Sequence, residues 1–135
     1  MILFQNTLIK LDYEPSTDIL TVAYPDLHTY LLPEINNSID ILISTVSNYD
    51  IKKVLLDSSK TSVAVAPEES QKISHHLADG FSKTRVQKVA RLQSATHEVE
   101  NLAQGNISEI TREALLPFQI ESFSDLNAAM SWLNS

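Results

Sequence analysis

The chain contains no cysteine. Disulfides, thiolate metal centres and cysteine nucleophiles are therefore excluded, while the redox compartment is left open. Glycine is almost as scarce, with Gly80 and Gly105 the only two. Loops that cradle phosphate need glycine for close backbone approach, and no Walker loop, dinucleotide-binding pattern or nucleophile elbow is present. Positive charge is short as well. The balance of 10 Lys and Arg against 17 Asp and Glu gives a formal net charge of −7. That field repels a phosphate backbone, so no nucleic-acid partner is expected. No apolar run reaches the length of a transmembrane helix, and Met1 to Lys10 lacks the basic start and cleavage site of a signal peptide. The reading is therefore no membrane insertion and a soluble, cytoplasmic protein.

What is present is ordinary for a globular chain. The 135 residues are 43% hydrophobic and 20% charged, which fits residues 1–135 as a single domain with one core.

Alternation opens the fold. Ile9, Leu11 and Tyr13 alternate with Leu8, Lys10 and Asp12, and Leu20, Val22 and Tyr24 alternate with Ile19, Thr21 and Ala23. Between them, Glu14-Pro15-Ser16-Thr17-Asp18 has turn chemistry, so the segment predicts a β-hairpin stopped at Pro25 and Asp26. Pro33 with Glu34 then opens a helix whose Ile35, Ile39, Leu42, Ile43 and Val46 share a stripe, ended by Asn48-Tyr49-Asp50. The run Val54-Leu55-Leu56 within Ile51 to Asp57 predicts a central strand buried on both faces.

The second half repeats the theme. Pro67-Glu68-Glu69 starts a helix with core residues Ile73, Leu77 and Phe81. Val86 to Leu92 is the next strand. Ser94 or Thr96 caps a third helix carrying Val99, Leu102 and Ala103. Gly105-Asn106 is expected to break or kink it, with Asn106 and Glu109 forming a fresh capping box and Ile107, Ile110, Ala114 and Leu115 continuing the apolar face. Phe118 to Phe123 is a last strand, and Ser124 caps a closing helix with Leu126, Ala129, Met130 and Leu133. The order β-β-α-β-α-β-α-β-α predicts an α/β fold: one mixed sheet with an N-terminal hairpin, parallel crossovers and helices packed on it.

This pattern resembles STAS domains. The resemblance is carried by the hairpin and Pro-led helix, the strand Ile51-Lys52-Lys53-Val54-Leu55-Leu56-Asp57-Ser58, and the tail from Phe118 to Leu133 with Ser-Asp-Leu-Asn-Ala-Ala-Met-Ser-Trp-Leu. It is closest to the SpoIIAA-like subgroup, which is related in fold to CRAL-TRIO domains. The resemblance implies a non-enzymatic regulatory module that binds a protein partner. In anti-sigma-factor antagonists of the group, a serine at a helix start is phosphorylated. Here the corresponding start reads Val65-Ala66-Pro67-Glu68, so no phosphosite is carried over.

The candidate binding residues are Asp57, Ser58, Ser59, Ser94 and Thr96. Loops at the carboxyl ends of parallel strands form the usual ligand crevice of an α/β sheet, and these residues fall there. The same residue types also cap strands and helices. His75 and His76 are adjacent and lack the spacing of a metal pair, with His75 expected toward solvent and His76 at the margin of the core stripe. His28 and His97 give no spacing signal. No metal, cofactor or catalytic residue is expected. Lys83, Arg85, Lys88 and Arg91 concentrate positive charge and are read as protection for a strand near the sheet edge, with an anionic ligand as the other reading. Two functions follow: a protein-interaction or regulatory module, with a homodimer allowed, or a small-molecule-binding domain. An apolar pocket with a few convergent polar groups is the feature that favours the second.

Overall fold

The computed structural model describes residues 1–24, 26, 32–62, 65–113 and 116–135. The expectations placed on Pro25, His28, Ala114 and Leu115 lie outside the described residues. Among the described residues, six strands and four helices run in the order β1 (Ile2–Gln5), β2 (Lys10–Glu14), β3 (Ile19–Ala23), α1 (Leu32–Asn48), β4 (Lys53–Asp57), α2 (Pro67–Ser82), β5 (Lys88–Leu92), α3 (His97–Glu113), β6 (Gln119–Phe123) and α4 (Leu126–Leu133). They form one mixed sheet whose strands lie side by side in chain order. β1, β2 and β3 pair antiparallel, and β3 to β6 pair parallel.

The expected hairpin is β2 and β3, with Glu14 opposite Ile19. Its turn closes on Asp18, which takes a positive φ of 58°. The Asp18 carboxylate accepts from the Tyr13 hydroxyl and from the Lys52 backbone N–H, tying the turn to the start of β4. Strand β1 is an addition to the expected order. Its four residues show no clean alternation, and its register with β2 shifts between Ile2 and Phe4. A bulged edge strand sends neighbouring side chains to irregular faces, which erases the period-two signal.

Strand alternation then sorts the two faces. On one face Leu11, Leu20, Val22, Val54, Leu56 and Val89 pack with Ile35, Ile39, Leu42 and Val46 of α1 and with Ile73, Leu77 and Phe81 of α2. On the other, Ile19, Leu55, Ala90 and Leu92 pack beneath Ala129 and Leu133 of α4. Sequential parallel strands with crossovers of one hand leave the crossover helices on one face, so only the terminal helix reaches the other. Leu55 is 1% exposed on β4, between β3 and β5. The central-strand reading holds.

Two local expectations fail. α3 is continuous through Gly105-Asn106. A glycine inside a helix costs only about 1 kcal/mol against alanine, and Asn106 spends its side chain on another helix rather than on a cap. The cap of α4 is Asp125 rather than Ser124, its carboxylate accepting from the Ala128 N–H at 3.0 Å. No helix among the described residues is long and apolar enough to cross a membrane.

Candidate functional site

The site is an apolar pocket between α2, α3 and the helix-bearing face of β4 to β6. Small side chains make the room: Ala78 on α2 and Ala103 on α3 line it where a larger residue would fill it. Two polar links hold the helices at that spacing. Asn106, buried on α3, donates to the hydroxyls of Ser70 and Ser74 on α2, at 2.9 and 3.3 Å. One helical turn further along, Gln71 donates to Glu109. Buried polar groups keep their place only while they are bonded, so these links set the helix separation as well as adding stability.

The cavity has a volume of about 100 Å³. Its floor is Leu56, Val89 and Ile120, and one end is closed by Phe81, Leu116 and Phe118. Phe81 and Phe118 meet edge to face at 6.2 Å between ring centroids. The opposite end, at the carboxyl ends of the strands, is polar: Tyr24, Ser58, Thr61 and Arg91 line it.

Arg91 dominates that end. It is 6% exposed. Nη1 and Nη2 each lie 3.1 Å from an oxygen of Glu100, and Nη1 also donates to the Ser122 hydroxyl on β6. Glu100 in turn accepts from the Ser94 backbone N–H and from Gln104. Burial pushes the Glu100 carboxyl up. The bonds from Arg91, Ser94 and Gln104, with the Arg91 charge, outweigh that and hold it below the ordinary carboxylate value. The Tyr24 hydroxyl is pushed up by burial, against an opposing pull from the nearby Arg91 charge. It therefore stays protonated at neutral pH.

The five residues nominated from sequence divide sharply. Ser58 is buried, lines the pocket, and its hydroxyl has no hydrogen-bond partner among the described residues. Asp57 and Ser59 form a local turn, with the Asp57 carboxylate accepting from both the N–H and the hydroxyl of Ser59. Ser94 donates its hydroxyl to the Thr61 carbonyl and accepts from the Thr96 N–H. The Ser94 and Thr96 pair thus fastens the approach to α3 onto the neighbouring loop. Tyr24, Arg91 and Asn106 were not nominated for the pocket. Arg91 carried a usable signal: a charge inside an otherwise apolar strand, nine residues before an acid on the next helix.

Several charge and histidine readings need correction. Strand β5 is paired on both sides, by β4 and β6, so Lys88 and Arg91 have no edge to protect. Lys88 instead donates to the carbonyls of Trp132 and Ser135 at 2.9 Å, and it lies 5.3 Å from the Trp132 ring centroid. It neutralises the carbonyl end of α4. The histidines are exchanged relative to expectation. His76 is the exposed one, bonded to Asp40 of α1 at 2.6 Å, while Nε2 of His75 is buried without a partner. No cluster suited to a metal ion occurs among the described residues.

No protein-family model matches the chain, and no curated protein or solved structure matches it.

Proposed function

We propose that this chain is a non-enzymatic, STAS-like binding module that holds a small apolar ligand in the pocket between α2, α3 and the sheet. One observation carries the reading: a mostly apolar cavity with Tyr24, Ser58, Thr61 and Arg91 gathered at one end, and with Ser70, Ser74, Asn106 and Thr111 as the other polar residues of its lining. That is the form of a small-molecule site. The volume of about 100 Å³ is two-thirds of the roughly 150 Å³ that takes benzene, which suits a ligand of about four heavy atoms and sets one small ring as the upper limit. The non-enzymatic part is supported by the lining. Among the described lining residues there is no carboxylate and no histidine, and the single charge, Arg91, is neutralised by Glu100. Among the described lining residues, no general base stands beside the Ser58 hydroxyl. The hairpin, the Pro-led α1 and the strands laid in chain order support the SpoIIAA-like part of the reading.

A benzene titration followed by amide chemical shifts tests the proposal. Shifts are expected around Leu56, Ala78, Val89 and Ala103, saturating with a Kd of about 1 mM or tighter. Ala103→Leu should abolish them while keeping a dispersed spectrum. An unchanged wild-type spectrum, or equal shifts in the blocked variant, contradicts it.

A protein partner is the second reading, favoured by the edge of β6. Gln119 and Phe123 bond inward to the chain around β5, so the alternating residues Ile120 and Ser122 turn their backbone N–H and C=O groups outward. An open parallel edge of this kind accepts an added strand.

A further inference from the structure

Among the described residues, the polar end of the pocket leaves four N–H or O–H groups unpaired against two free hydroxyl oxygens. The hydroxyl of Tyr24 and that of Ser58 have no partner among the described residues. Arg91 carries five N–H groups. Three are spent on Glu100 and Ser122, which leaves the Nε–H and one N–H of Nη2 without an acceptor among the described residues. Apart from the hydroxyl oxygens of Tyr24 and Ser58 themselves, the acceptors nearby are already engaged. Glu100 takes four hydrogen bonds on its two oxygens, from Arg91 twice, Ser94 and Gln104. The Thr61 hydroxyl is committed to the Tyr24 carbonyl, and the Thr61 carbonyl to Ser94.

We infer that the pocket selects a neutral ligand with one hydrogen-bond-accepting oxygen, a small ketone, aldehyde or ether, with Tyr24 and Ser58 as the donors. This rests on the reading of the pocket as a ligand site and adds the chemistry of the head group. A hydrocarbon would leave buried donors unpaired, and that omission is costly. A carboxylate would gain the same bonds, but it would sit across Arg91 from Glu100. The Arg91 charge is already balanced there, so a second anion brings repulsion with no free cation to offset it. A neutral acceptor meets the donors without adding charge.

Three small-ring compounds of five or six heavy atoms separate the possibilities: cyclopentane, cyclopentanone and cyclopropanecarboxylate. Each is titrated into wild-type protein and into Tyr24→Phe and Ser58→Ala, with amide chemical shifts as the readout. The expected result is cyclopentanone binding about 3- to 10-fold tighter than cyclopentane, as one net hydrogen bond provides. The carboxylate should be weakest. Tyr24→Phe or Ser58→Ala should reduce the ketone advantage, in part by tightening cyclopentane binding, because the hydrocarbon then leaves one donor fewer unpaired. Equal binding of ketone and hydrocarbon, tightest binding of the carboxylate, or a ketone preference intact in both variants would overturn the head-group assignment and leave the pocket reading standing. Failure of all three compounds to bind would overturn the pocket reading and this inference together.

Discussion

The two glycines provide a matched experiment on how α1 and α2 meet. Both lie inside helices, so replacing either with alanine gains about the same helix propensity, about 1 kcal/mol. Their surroundings differ completely. A Cβ on Gly105 would have no atom within 4 Å, and Gly105→Ala should stabilise the protein by about 0.5–1 kcal/mol. A Cβ on Gly80 would lie 2.2 Å from Cδ1 of Ile43, 2.7 Å from Cγ1 and 3.1 Å from Cγ2. Rotating the Ile43 tip relieves only the first of these. The other two are bonded directly to its Cβ, so α1 and α2 must separate or Ile43 must leave its rotamer. Overpacking of this kind costs about 1–3 kcal/mol, which cancels or exceeds the propensity gain. The difference between the two variants isolates the clash, because propensity cancels. Urea denaturation should place Gly80→Ala about 1–3 kcal/mol below Gly105→Ala. Adding Ile43→Ala should remove most of the gap. Equal stabilisation by both alanines would refute the close approach of α1 to α2 at this point.

Two further outcomes follow from burial and from the ion pair beneath the pocket. Leu55→Ala removes a side chain that is 1% exposed between two sheet neighbours, and chemical denaturation should show a loss of about 2–5 kcal/mol. Glu100 has a carboxyl value held below ordinary in the folded protein. Its stabilising contribution is therefore full above the unfolded value, about 4.3, and is lost as pH falls through the folded value. Denaturation of Glu100→Gln should show lower stability than wild type at neutral pH and a shallower decline on acidification below that point. Parallel curves for the two proteins would contradict the depressed value.

The parts of the fold written in local pattern were legible, and the parts written in tertiary contact were not. Val54-Leu55-Leu56 announced a doubly buried strand because each residue reports its own face. Pro33 and Pro67 marked helix starts because proline suits the first turn of a helix. Asn106 misled for a comparable reason. Its sequence context offers a cap, but the serines that engage it lie more than thirty residues earlier on α2 and no local window contains them. Lys88 and Arg91 were read together, with Lys83 and Arg85, as protection for a strand near the sheet edge. Lys88 closes α4 and Arg91 pairs under α3, and only the pairing of β5 on both sides separates those roles. Ser58 was placed at the crevice because strand ends in α/β sheets face one, and its side chain lines the pocket. Tyr24 was missed because a strand's last aromatic residue looks like ordinary core.

The most direct test of the central claim is diffraction from crystals equilibrated under xenon, an apolar atom that enters dry cavities and ignores hydrogen-bonding sites. The account predicts a strong xenon peak in contact with Leu56, Val89 and Ala103, between α2 and α3, that disappears in Ala103→Leu. Xenon bound only elsewhere, or density for ordered water filling the space beside Val89, would contradict the pocket as an apolar ligand site.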